Sequence, residues 1–197
     1  MSSRQAQRSE ATRREFLRVA RELFTEKGYE ATTLDDVSER TGVTKGALYH
    51  HFKDKRELFR AVFEELEQEM CNQIIAAAAT TGDDVWEQMQ RGVSAFLDAA
   101  SEPEQRRICL IDGPSVLGWD TWREIDERYG YGLTKGIIEA AMNAGVIERR
   151  PVEPLARIFL AALSEAALQI ARADDPAKAR DEMSATLWAL VGSLRTT

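Results

Sequence analysis

Both histidines of the chain, His50 and His51, stand side by side in one short stretch that also holds Thr33, Thr44, Lys45, Gly46, Tyr49 and Lys55. These side chains are hydrogen-bond donors and cations, suited to meeting a polyanion and reading base edges. An amine at Lys45 can donate to guanine or to a phosphate. Gly46 leaves room for a sugar-phosphate backbone. Tyr49 and His50 lie one turn on and point outward if Leu48 points in. His51 and Lys55 follow at the edge, where phosphate contacts are expected. Thr33 and Thr44, at the starts of two helices, offer hydroxyls and backbone amides to phosphates. The same residues also fit a plainer arrangement: Gly42 only turns the chain, Tyr49 and Phe52 are core aromatics, and the histidines are exposed polar groups.

The elements that must position these groups are two short helices. Thr33 is the expected N-cap of the first, with Asp36 three residues on as the reciprocal acid of a capping box. Asp35 and Asp36 both suit the positive end of the helix dipole. Leu34 and Val37 supply its inner face, and it ends near Thr41, before Gly42. Thr44 caps the second helix, Lys45 to about His51, which is too short to stand alone and needs Leu48 and Phe52 beneath it. Gly46 in its first turn weakens the helix by roughly 1 kcal/mol relative to Ala, which suggests that something approaches the backbone there.

A helix from about Glu10 to Lys27 precedes this pair, with Phe16, Val19, Ala20, Leu23 and Phe24 at helical spacing and Gly28 as its stop. Residues 1–10 are polar and expected to fray. After the pair, Asp54 and Glu57 open a long helix that carries Leu58, Phe59, Val62, Phe63, Leu66, Met70 and Ile74. The loop Thr80-Thr81-Gly82-Asp83-Asp84 leads to a helix ending near Ala100. A short helix follows Pro103, and Asp112-Gly113-Pro114 is expected to break it. The next helix runs from Trp119 to Gly145, with Gly130 and Gly132 as its expected kink. The last two are strongly apolar and start near Pro154 and Pro176. No segment shows strand alternation, so the predicted class is all-α with roughly nine helices.

Charge is unevenly spread. The net charge is -7, yet residues 1–60 carry +3 and residues 61–197 carry -10. The first 21 residues hold six arginines (Arg4, Arg8, Arg13, Arg14, Arg18 and Arg21) against Glu10 and Glu15. A basic end on an acidic body suits an end that meets phosphates. Cys71 and Cys109 form no disulfide framework or metal cluster and are expected to be reduced, packed thiols. No uninterrupted apolar run reaches the ~18–20 residues of a membrane span. The N-terminus has no apolar signal region, so a cytoplasmic location is expected. Both histidines are committed to one short helix, the acids scatter over helical faces, and there is no Glu-x-x-His pair and no Gly-rich phosphate loop. The chain is therefore not expected to be an enzyme, and nothing calls for a cofactor or metal.

The segment from about Phe16 to Phe63 resembles the N-terminal domain of TetR-family transcriptional regulators. The resemblance rests on A-x-x-L-F at Ala20–Phe24, GYEATT at Gly28–Thr33, TGVTKGALYHHF at Thr41–Phe52 and KRELF at Lys55–Phe59. It covers about a quarter of the chain; the remainder is similar to the family only in being helical and of suitable length. The resemblance implies a homodimer, a palindromic double-stranded DNA operator and a divergent C-terminal domain that binds a small organic effector. The family default is a repressor released by that effector. It implies base contacts at Lys45, Gly46, Tyr49 and His50 and phosphate contacts at Thr33, Thr44, His51 and Lys55. Ala47 is small, so a hydroxyl contact made there by some members is absent here. The Arg-rich arm before residue 10 corresponds to one that adds phosphate or minor-groove contacts in some relatives. The division expected is residues 1–57 for DNA and 58–197 for effector and dimer.

Pairing also fits the physics, because two short reading helices about 34–36 Å apart on a two-fold axis specify a longer site than one. The expected dimer surface is Leu155, Phe159, Leu163, Ile170, Leu187, Leu190, Val191 and Leu194, whose faces could equally cover the monomer core. The expected effector pocket is Trp86, Met89, Phe96, Trp119, Trp122 and Tyr129, which could equally be ordinary core. The competing reading is a helical ligand-binding or scaffold protein without DNA binding.

Overall fold

A computed structural model of the chain describes residues 3–82 and 84–196; the Arg4 side chain and Asp83, both named above, lie outside the described residues. Among the described residues nine helices follow one another: α1 (Ser3–Ala31), α2 (Leu34–Thr41), α3 (Lys45–His51), α4 (Lys55–Ala78), α5 (Val85–Ser101), α6 (105–117), α7 (119–143), α8 (Val152–Arg172) and α9 (Pro176–Gly192). Among the described residues there is no strand, only an isolated bridge between Ile147 and Arg195 that clasps the C-terminal end to the α7–α8 loop.

Local chemistry sets most boundaries. Side chains of Thr33, Thr44, Asp54, Asp84 and Asp175 each accept a backbone N–H at the start of the helix they cap. Gly42 takes the left-handed conformation that closes α2.

Three boundaries differ from expectation. α1 is already helical at Ser3, because its polar start is rich in good helix formers and continues into the Glu10–Arg14 pair. Gly28 kinks α1 (φ 79°, ψ 170°), and helix resumes to Ala31. Asp112-Gly113-Pro114 does not break α6. Its first part, Gln105–Asp112, is a π-helix, and the Gly113 N–H reaches back to the Ile108 carbonyl. Pro114 then sits near the start of the α-helical piece Gly113–Leu117, and the helix continues past it. The break comes at Gly118. In α7 the expected kink is a second π-helical segment, Glu127–Tyr131.

One hydrophobic cluster joins Phe16, Leu23 and Phe24 of α1, Val37 of α2, Leu48 of α3 and Phe52 to Leu58, Phe59, Val62 and Phe63 of α4, and reaches Ile108, Leu117 and Ile125 of α6 and α7. Two further clusters hold the body, where α8 packs on α5, α7 and α9. α8 alone is long and apolar enough to cross a membrane by length and composition, among the described residues, and a third of that window is buried in the protein.

Candidate functional sites

The α2–α3 hairpin is built from its caps. The Thr33 hydroxyl accepts the Asp36 N–H (3.1 Å) while the Thr33 N–H donates to the Asp36 carboxylate (2.8 Å). That backbone bond holds the Asp36 carboxyl below its usual range. The Thr44 hydroxyl accepts the Ala47 N–H at 3.4 Å. The Thr44 O–H proton remains able to donate outward. Leu48 and Phe52 are buried and pin α3 from beneath.

Thr33, Thr44, Lys45, Gly46, Tyr49 and His50 are all exposed. Tyr49, at 56% exposure, lies one turn beyond Lys45 on the same side of α3. Lys45 Nζ donates to Asp35 Oδ2 at 2.5 Å, which joins the first turns of α2 and α3 and raises the lysine pKa. A Cβ built on Gly46 would meet nothing within 4 Å. The fold therefore does not require glycine there.

His51 and Lys55 sit deeper, at the seam with α1. The His51 ring meets Phe16 edge-on at 5.8 Å, and burial, then the charges of His50 and Arg13, push its pKa down. Lys55 Nζ donates to the Tyr29 carbonyl (2.8 Å) and the Glu30 carbonyl (3.5 Å), and lies 4.1 Å above the Tyr29 ring. It caps the C-terminal carbonyls of α1, a contact that sequence spacing does not reveal.

A polar joint ties this head to the body. Asp112, at the end of the π-helical part of α6, accepts the Tyr29 backbone N–H at 2.8 Å and the Arg107 Nε–H at 3.2 Å. The Arg107 guanidinium fills the space beside Gly28 that a side chain would need. Arg56 at the start of α4 donates to the Val116 and Leu117 carbonyls at 3.0 and 2.6 Å, closing the other end of α6.

Behind the head, a cavity of about 60 Å³ lies between α4, α5, α7 and α8. Of the expected pocket residues, Met89 and Phe96 line it. The others lie elsewhere, because large apolar side chains fill whichever interface is nearest. Trp86 packs edge-on against Trp188 (5.6 Å) under the Arg195 guanidinium. Trp119 and Trp122 stack at 5.4 Å over a separate open groove between α7 and α8, and Trp119 is 62% exposed. Tyr129 packs against the head-side cluster. The cavity also has Glu67, Met70, Cys71 and Ile74 from α4, Leu133 and Thr134 from α7, and Phe159 and Leu163 from α8. Glu67 was legible in principle, as an acid in register with the apolar stripe of Phe63, Met70 and Ile74.

The expected dimer surface divides. Leu163, Ile170, Leu187 and Val191 are buried in the chain's own core, and Leu155, Phe159 and Leu194 pack partly against it. Leu190 is 60% exposed. Beside the expected stripe, Ile158 of α8 is 67% exposed. The outward faces of α8 and α9 otherwise carry small or polar side chains such as Ala161, Glu165, Thr186 and Ala189.

Comparison with known proteins bears on both regions. Residues 16–62 match the family described as bacterial regulatory proteins, tetR family, and residues 86–194 match the tetracyclin repressor-like C-terminal domain. The chain is 31% identical over 137 residues to the transposon Tn10 TetC protein of Escherichia coli, covering 68% of this chain and 67% of that one. It is 30% identical over 110 residues to the transcriptional regulator AcrR of Shigella flexneri, spanning 56% of this chain and about half (51%) of AcrR. A crystal structure of a TetR-family transcriptional regulator from Pectobacterium atrosepticum superposes with a TM-score of 0.86 at 34% identity, over 96% of this chain and 97% of the other.

Proposed function

Because the chain belongs to the TetR family of bacterial transcriptional regulators, we propose that it is a homodimeric repressor that leaves a palindromic operator when a small organic effector enters the cavity. The family consists of ligand-responsive DNA-binding regulators rather than enzymes. In this reading α3 enters the major groove, and Lys45, Gly46, Tyr49 and His50 meet base edges and the adjoining backbone. Thr33 and Thr44 hold phosphates. His51 and Lys55 hold them at the rim. An ammonium has three N–H donors, and Lys55 spends two on α1, which leaves the third for a phosphate. The observation that carries the reading is the open space above Gly46, ringed by exposed donors, where the fold itself has no use for glycine.

Residues 1–57 supply the DNA surface and residues 58–197 the effector and dimer surfaces. That division is one of role, since the hydrophobic cluster runs across it. Ile158 and Leu190 mark the dimer face, where the small side chains around them let two helix pairs approach closely. The cytoplasm is where such a protein meets chromosomal DNA.

The effector acts through its differential affinity for two head separations. α4 lines the cavity at Glu67 to Ile74 and begins at Lys55, against the head. The testing experiment is a gel shift on the promoter regions of neighbouring genes. Binding that falls steeply with salt and is lost in a Lys45→Ala/Tyr49→Ala double variant is expected. Absence of any shifted genomic fragment at low salt would sink the proposal.

A further inference from the structure

The groove between α7 and α8 stands open, with a volume of about 290 Å³. Trp119 and Trp122 of α7 line it on one side, and Leu160, Ser164 and Leu168 of α8 line it on the other. The two indoles stack at 5.4 Å, and Trp119 is 62% exposed. Apolar surface of this kind is unfavourable in water until something covers it. The groove runs into the outward stripe of α8, where Arg157, Ala161 and Glu165 line it and are also exposed. Ile158, 67% exposed, lies on the same stripe. The tryptophan groove and the proposed dimer face of α8 are therefore one continuous surface.

That stripe is self-complementary about Ala161. Two copies of a helix that cross on a perpendicular two-fold axis run antiparallel, so a residue before the crossing faces the one equally far after it. With the axis at Ala161, Arg157 faces the partner's Glu165, and Ser164 in the groove faces the partner's Ile158. At about 1.5 Å per residue these positions lie within about 6 Å of the axis, close enough to meet at any ordinary crossing angle. Ala161 is small enough to let the two helices approach. Glu165 accepts from Gln169 at 2.6 Å and, among the described residues, pairs with no cation of its own chain. Arg157 donates to Glu127 at 2.8 Å, and a guanidinium has donors enough for a second carboxylate. An axis at Glu165 would instead set two carboxylates face to face. We infer that a second copy of this chain closes the groove. Its α8 crosses this one at Ala161, the partner's Ile158 enters beside Trp119 and Trp122, and Arg157 and Glu165 pair reciprocally across the axis. This rests on the reading of the chain as a homodimer, and it brings α7 into an interface otherwise made by α8 and α9.

The test uses the full chain, with circular dichroism to show that each variant folds and analytical ultracentrifugation to give the dimer dissociation constant. A residue on the axis meets itself, and facing Cα atoms at a close helix crossing lie roughly 5 Å apart, within the span of a disulfide. Ala161→Cys, oxidised with copper phenanthroline, is therefore expected to run as a covalent dimer on a non-reducing gel. The wild-type chain, whose Cys71 and Cys109 are buried, is expected to run as a monomer there. Glu165→Arg should weaken the dimer by about tenfold or more, and adding Arg157→Glu should restore it to within about threefold of wild type. Trp119→Ala, at an exposed position, should weaken it by about tenfold with the helical signal unchanged. A dimer in which Ala161→Cys does not cross-link, a charge reversal that the second reversal does not repair, or a Trp119→Ala dimer as tight as wild type overturns the inference and leaves the homodimer standing. A chain that stays monomeric at its highest soluble concentration overturns both readings.

Discussion

The Lys45 ammonium of α3 lies 2.5 Å from the Asp35 carboxylate of α2, so the foremost cation of the proposed DNA surface is held by an acid on the neighbouring helix. Both side chains are more than half exposed, and a pair of this kind is weak and easily screened. On the proposed reading, DNA exchanges one partner of Lys45 for another. Asp35→Asn should raise affinity for non-specific DNA a few-fold and steepen the log K against log salt slope by up to about one unit. Anisotropy titrations over a salt series check this; an unchanged slope would mean that Asp35 does not restrain Lys45.

Gly46 separates folding from reading. Gly46→Ala should leave the structure intact and raise stability by up to about 1 kcal/mol, because the added methyl meets nothing and helix propensity improves. Operator affinity should nevertheless fall. Calorimetry and gel shifts on the same preparation decide the matter, and a variant that binds the operator as well as wild type removes the reason for glycine there.

Gly28 is needed for a different reason. Gly28→Ala puts a methyl into a backbone with φ +79° and into the space of the Arg107 guanidinium. It should destabilise the protein by about 1–2 kcal/mol. Arg107→Ala should recover part of that loss in the double variant, since the crowding partner is gone. Full additivity in a double-mutant cycle would place the strain in the backbone alone.

The depressed pKa of His51 gives stability a pH dependence of known sign. In the window between the lowered native value and the ordinary histidine value of about 6.5, the unfolded chain binds more protons than the folded one. Stability should fall as pH drops through that window. His51→Gln should flatten the dependence. The groups facing His51 that set the effect are His50, Arg13 and Glu10. Urea melts at closely spaced pH values read the slope directly.

The proposed dimer face and the core are distinguishable by one charge on α9. Leu190→Glu should yield a folded protein that elutes as a monomer, and Ile158→Glu should do the same from α8, because both side chains are exposed in the single chain. Leu187→Glu, at a buried position three residues earlier, should unfold the protein instead. Size-exclusion chromatography beside circular dichroism tells the three apart.

The head was legible because its signals are local. Thr33, Thr44 and Asp54 cap helices through bonds to residues three positions on, and Gly42 turns the chain by its own backbone. The body was legible only as helices. Trp119 and Trp122 are as apolar as Met89 and Phe96, and nothing in their spacing separates a groove from a cavity. Asp112-Gly113-Pro114 carries every local mark of a break. A backbone bond to the fifth residue back continues the helix, and contact with Phe63 leaves Gly113 no room for a side chain. The expected dimer stripe is divided for a related reason. The most apolar faces of α8 and α9 pack into the chain's own core, and the faces left exposed are the less apolar ones.

The cluster shared by α1, α3, α4, α6 and α7 also bears on how the molecule comes apart. Leu48 and Phe52, which seat α3, rest in the same cluster as Leu58, Phe59, Ile108 and Leu117, so the head is expected to melt with the body rather than in a transition of its own. Any ligand that binds only the folded body adds its binding free energy to the unfolding of the whole chain. A probe placed on α3, far from the cavity, is therefore expected to report on heating a ligand bound in the body.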